Sequence, residues 1–115
     1  MSGLDAKDIR KTMPRFAPDT YAANLRLLPP FEALAAQAGC TPAQLALAWL
    51  LAQGPDVIPI PGTTSLAHLE EDLAAADLSL PADVIAQAGR LIHAGNVTGH
   101  RYAPATVAEI DTEEC

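Results

Sequence analysis

The sequence predicts an α/β chain that is mostly helical, with one short strand at about Val57-Ile60. Three observations carry that expectation. The run Val57-Ile58-Pro59-Ile60 is apolar without alternation, as in a strand covered on both faces. Pro61-Gly62 breaks the run, and Thr63, Thr64 and Ser65 then offer N-caps to a helix whose inward face would be Leu66, Leu69 and Leu73. Helical signals stand on both sides of this unit. Pro59 removes a ladder donor, so the strand is expected to be short, irregular, or at a position that tolerates the loss. The turn after it leads into a helix N-terminus, where free N–H groups and the helix dipole favour an anion such as a nucleotide phosphate.

The first thirty residues read as loop, punctuated by Pro14, Pro18, Pro29 and Pro30, with two helical turns over Tyr21 to Leu28. A helix is expected from Phe31 or Glu32 to Ala38, with Gly39 as its C′ residue. The next start signal is stronger. Thr41 is placed as N-cap, Pro42 at N1, and Gln44 completes a capping box. The helix that follows is apolar nearly all round through Leu45, Leu47, Ala48, Trp49, Leu50 and Leu51, so it is expected to lie between other elements. Gly54-Pro55 ends it.

Beyond the strand, an amphipathic helix runs from about Leu66 to Ala76. Pro81 opens another, with Val84, Ile85, Ala88, Leu91 and Ile92 as its buried side. The remaining tail mixes loop signals with a short helical stretch around Thr106 to Ile110. This gives four or five helices and one strand, and a lone strand cannot satisfy its own backbone groups. The strand therefore calls for a partner, either in another molecule or in a larger α/β protein.

Composition narrows the function classes. A length of 115 residues gives a single domain as the prior, and 50% hydrophobic content suffices for a core. No run of about 18 apolar residues suggests a membrane span, and the N-terminus lacks the apolar region of a secretory signal. Cys40 and Cys115 make a poor disulfide framework, so a reduced, cytoplasmic setting is expected. A net charge of −7, with no basic cluster beyond Lys7, Arg10, Lys11 and Arg15, argues against nucleic acid and acidic membranes as partners. His68, His93 and His100 lack the spacing of metal ligands. Cys40 has no nearby base or cation of the kind a catalytic thiol uses, and Trp49 reads as core.

The runs CTPAQLALAWLLAQG (Cys40 to Gly54) and VIPIPGTTSLAHLEEDLAAADLSL resemble the C-terminal portion of a bacterial aldo/keto reductase. So do the flanks, Met13-Pro14-Arg15-Phe16 with Asn24-Leu25, and Val97-Thr98-Gly99-His100-Arg101-Tyr102. The resemblance covers almost the whole chain. It implies a (β/α)8 TIM barrel that reduces carbonyls with NADPH, residues 1–115 being a C-terminal fragment whose functional face lies at the strand C-termini.

The resemblance further implies that the turn after the last strand and the helix beyond it grip the adenosine 2′-phosphate and adenine of NADP. The matching positions are Gly62, Thr63, Thr64 and Ser65 at the turn, and His68, Glu71 and Asp72 on the helix. Hydroxyls and backbone N–H groups there can donate to phosphate, and a protonated His68 would add a charge-assisted bond. Without the family, the same hydroxyls read as helix caps and His68 as part of a solvated face.

The chain departs from the family pattern in two ways. Many relatives carry Lys or Arg after Pro-Gly-Thr, Arg at the position of His68 and Asn at that of Asp72. The carboxylate of Asp72 removes two donors and brings negative charge towards the adenine, which implies weaker or altered cofactor preference. The family's catalytic Asp, Tyr, Lys and His come from earlier strands and have no counterparts here, and Tyr21 and Tyr102 lie outside that motif. The isolated chain is therefore expected to be inactive, helical, loosely packed or self-associating, or completed by a complementary barrel fragment. The other reading is a non-catalytic helical module for protein association.

Overall fold

A computed structural model describes Asp5 and residues 7–109. Six α-helices order those residues: α1 (Pro18–Leu25), α2 (Leu28–Gln37), α3 (Pro42–Leu51), α4 (Leu66–Ala74), α5 (Ala82–Leu91) and α6 (Pro104–Val107). Three 3-10 turns join them, at Ile9–Thr12, Pro14–Phe16 and Ala75–Asp77. The chain divides into two compact units, Leu27–His93 and the combination of Met1–Arg26 with Ala94–Cys115.

The unit Leu27–His93 holds α2 to α5. Pro29 and Pro30 stand in the first turn of α2 rather than in a loop. The first-turn N–H groups have no intrahelical acceptor, so two prolines there cost no hydrogen bond. The helix ends as Gly39 foretells. Gly39 adopts φ +73°, the Gly39 N–H donates to Ala36 O at 3.2 Å, and the Cys40 N–H reaches back to Ala35 O at 3.0 Å. This is a Schellman motif, and the left-handed residue at C′ favours glycine. One residue on, the α3 capping box forms as expected. The Thr41 N–H donates to Gln44 Oε1 at 3.1 Å, and the Gln44 N–H donates to Thr41 Oγ1 at 3.2 Å.

These two caps turn the chain within four residues, Ala38 to Thr41, and set α3 against α2. The core between them and α5 contains Phe31, Leu34, Ala35, Leu45 and Ala88, with Trp49, Leu80, Val84, Leu91 and Ile92 packed against it. Ala35 and Leu45 are fully covered. Small residues allow close approach here. A Cβ on Gly89 would stand 3.0 Å from Trp49 Nε1, so the indole occupies the space that glycine leaves. Cys40 packs at the edge of this core, and burial pushes its thiol pKa up.

Two expectations are corrected. Val57-Ile60 forms no strand, and no strand occurs among the described residues. A ladder needs a second chain segment alongside, and none of the described segments pairs with this one. Ile58 is 81% exposed and Ile60 92% exposed, although the unbroken apolar run implied cover on both faces. The second correction concerns α4. Leu66, Leu69 and Leu73, expected to face inward, are all exposed. They line up at helical spacing, so α4 is amphipathic as read, but Leu66 stands in solvent while Leu69 and Leu73 line only an open groove facing Leu47 and Leu51. Part of α3 shares this state. Leu45 and Ala48 are buried while Leu50 and Leu51 are exposed.

The other unit is held by polar contacts between segments far apart in sequence. The 3-10 turn at Pro14–Phe16 leads into α1, where Phe16 and Tyr21 stack with ring centroids 6.0 Å apart. Arg15 Nε donates to Gly99 O at 3.0 Å, and Asn24 pairs with the backbone of Thr98. Gly99 takes φ +86°, and a Cβ there would lie 3.0 Å from Pro14 O. Both the dihedral and the close approach require glycine. The helical stretch expected around Thr106 to Ile110 corresponds to α6, with Ile110 outside the described residues.

Candidate functional site: the turn before α4

The chain from Gly62 to Ser65 makes a self-braced entry into α4. The Ser65 N–H donates to Thr63 Oγ1 at 3.1 Å, which folds the Thr63 side chain over the turn. Ser65 itself has extended backbone angles, φ −104° and ψ 125°, and its Oγ accepts from the His68 N–H at 3.4 Å. Ser65 is thus the N-cap among the three hydroxyl candidates. The cap satisfies one first-turn donor. The N–H groups of Leu66 and Ala67 precede any intrahelical acceptor, so the positive end of α4 retains donors at the surface.

The predicted site residues fall into two groups. Gly62, Thr63, Thr64 and His68 are exposed and Ser65 is half-buried, all around the helix start. Glu71 and Asp72 lie one to two turns further along α4 and are half-buried. A Cβ on Gly62 would meet nothing within 4 Å, so the approach to the turn is open. Asp72 borders an apolar groove of about 230 Å³ that runs between α3, α4 and the preceding segment, with Leu47, Pro59, Pro61 and Leu69 among its walls. A flat ring would find apolar cover there, with one carboxylate at the edge. Among the described residues, no three His, Cys, Asp or Glu side chains gather as a metal ion would require.

Gln44 enters this region from α3, and its side chain does more than cap its own helix. Its Nε2 donates to Glu71 O at 3.2 Å. The capping-box pattern foretold the first role, but no local signal in the sequence points to a contact 27 residues away. The flanking motifs that resemble the family also meet. Arg15 and Asn24 from the first flank bond Gly99 and Thr98 from the second.

Among the described residues, no single helix is long and apolar enough to cross a bilayer.

Comparison with known proteins places this geometry in context. The profile of the aldo/keto reductase family matches residues 2–92. The aldo-keto reductase str7 of Strobilurus tenacellus is 34% identical over 111 residues, which is 96% of this chain and 33% of that protein. The aldo-keto reductase yakc [NADP(+)] of Schizosaccharomyces pombe is 37% identical over 103 residues, 90% of this chain and 30% of that protein. The chain therefore spans about a third of the length of these relatives. With nearly all of its own length matched in this way, the chain belongs to the aldo/keto reductase family.

Proposed function

We propose that residues 1–115 form the part of an NADP-dependent aldo/keto reductase barrel that grips the adenosine end of the cofactor. The observation that carries this reading is the braced turn at Thr63 and Ser65. Beside it stand the first N–H groups of α4, with Thr64 and His68 both exposed. Backbone donors, a hydroxyl and an imidazole at a helix N-terminus suit a phosphate monoester. The relative yakc carries NADP(+) in its name, which fits an anion site at this turn.

In the family reaction NADPH supplies a hydride to an aldehyde or ketone. This chain's residues hold the other end of the cofactor. Ser65 and Thr63 fix the turn, Gly62 keeps its approach open, and Glu71 and Asp72 flank the adenine. On this reading none of the described residues is assigned to protonating a carbonyl oxygen, and the chain alone binds cofactor without turning it over. The Val57-Ile60 segment and the apolar stripe of α4 would be covered by the rest of a (β/α)8 barrel, in one cytoplasmic polypeptide or together with a complementary barrel fragment. The test is a fluorescence titration with NADPH and NADH, on the chain and on a Thr63→Ala, Ser65→Ala double variant. Saturable binding that prefers NADPH and weakens in the variant supports the reading. Equal affinity for both nucleotides, or none, refutes it.

A second reading is a non-catalytic association module. The specific observation favouring it is the number of large apolar side chains exposed in this region: Ile58, Ile60, Leu66, Leu69 and Leu73. Apolar surface of this kind drives self-association. Light scattering across a concentration series separates the readings: the module assembles reversibly into a defined oligomer without nucleotide.

A further inference from the structure

We infer that Gln44 is a positioning residue for the nucleotide-gripping helix, an inference that rests on the cofactor reading above. In an uninterrupted α-helix the Ala75 N–H would bond to Glu71 O. Here it turns to Asp72 O as the chain tightens into the 3-10 turn Ala75–Asp77. Glu71 O accepts instead from Gln44 Nε2 at 3.2 Å. The other end of the same amide, Oε1, accepts from the Thr41 N–H at 3.1 Å.

The two ends of the amide are not interchangeable. A carbonyl can only accept and a backbone N–H can only donate, so both partners fix the same amide orientation. One side chain therefore starts α3 and ties α4 to it. The tie falls on Glu71, next to Asp72, in the segment assigned to the adenine. It fixes where α4 sits against α3 and hence the width of the groove that Asp72 borders. Gln44 touches no cofactor in this scheme. It acts through the position of α4.

Three variants separate capping from tethering. Gln44→Glu retains the acceptor of the capping box and loses the donor to Glu71 O. Gln44→Met loses both, without adding charge. Thr41→Ala removes the reciprocal cap and leaves the donor. Affinity for NADP+ is expected to fall about three- to ten-fold in both Gln44 variants, the scale of one hydrogen bond, and to stay within about two-fold in Thr41→Ala. The stability of α3 follows the opposite grouping, reduced in Gln44→Met and Thr41→Ala and retained in Gln44→Glu.

Amide exchange in α4, read without nucleotide, rises in both Gln44 variants and not in Thr41→Ala. Unchanged α4 exchange in Gln44→Met overturns the tether. Raised exchange with NADP+ affinity unchanged overturns the positioning role. A wild-type chain that fails to bind NADP+ while α4 exchange follows the expected grouping overturns the cofactor reading and leaves the tether standing.

Discussion

Asn24 and Thr98 exchange two hydrogen bonds across 74 residues of sequence: the Thr98 N–H donates to Asn24 Oδ1 at 2.8 Å, and Asn24 Nδ2 donates to Thr98 O at 2.9 Å. The side-chain amide thus imitates a strand neighbour and satisfies both backbone groups of one tail residue. Asn24→Ala is expected to cost about 1 kcal/mol, since these bonds are solvent-exposed and each exchanges with water. The check is amide exchange at Thr98, which should quicken in the variant. Asn24→Asp retains the acceptor and loses the donor, so it should leave the Thr98 amide partly protected.

The contact of Gly89 with Trp49 makes a prediction whose sign depends on background. Replacing a helical glycine with alanine normally stabilises by about 1 kcal/mol. Here the new methyl meets Trp49 Nε1 at 3.0 Å, and overpacking of this kind costs about 1–3 kcal/mol. Gly89→Ala should therefore destabilise the wild-type chain and stabilise a Trp49→Leu variant. Denaturant melts of the four proteins in this cycle measure the reversal.

Asp8 provides a pH-dependent contact. Its carboxylate accepts from Arg10 Nε at 2.9 Å and from the Arg10 backbone N–H at 3.0 Å. The side-chain bond to Arg10 and then the backbone bond hold its pKa at about 2, down from 3.8. A depressed carboxylate contributes stability that is fully present above the unfolded pKa and is lost as pH falls through the folded one. The contribution to the turn at Ile9–Thr12 should thus be complete above pH 3.8 and disappear towards pH 2. The Asp8 carboxyl carbon resonance, titrated by NMR, should show the low midpoint, and Arg10→Gln should return it towards 3.8.

On the proposed cofactor reading, Asp72 stands where an adenine would be better served by hydrogen-bond donors. Its carboxylate offers acceptors alone, on the rim of an otherwise apolar groove. Asp72→Asn supplies two donors and removes a negative charge from the path of a polyanionic nucleotide. Affinity for NADP+ should rise by about three- to ten-fold, the value of one added hydrogen bond. Calorimetric titration of the two proteins, at low and at 0.5 M salt, separates the donor effect from the screened charge effect (on the order of a 4 Å Debye length at the higher salt).

The parts of this fold that were legible in the sequence are those whose cause is local. Thr41 and Gln44 announce a capping box because both halves of it lie within four residues. Gly39 announces a C′ position because its left-handed φ is written into the residue type. Ser65 is one of three equivalent hydroxyls, and the sequence narrows the cap to that trio without choosing. Pro29 and Pro30 misled, since the signature of a loop is also allowed in a helix's first turn. What escaped entirely was non-local. The apolar run at Val57-Ile60 states that cover is needed and says nothing of where it comes from, and the described residues leave Ile58 and Ile60 in solvent. Nothing in the spacing of Gln44 and Glu71, or of Asn24 and Thr98, marks them as partners. Of the candidate site, the turn was readable and its bracing was not.

On the proposed reading, the turn before α4 receives the phosphate of NADP. The most direct measurement is chemical-shift mapping of the isotopically labelled chain as NADP+ and then NAD+ are added. Binding at the turn should give saturable shifts concentrated on the amides of Thr63, Thr64, Ser65, Leu66 and Ala67, larger for NADP+ than for NAD+. Shifts that are absent, that fall elsewhere, or that match for the two nucleotides would contradict it.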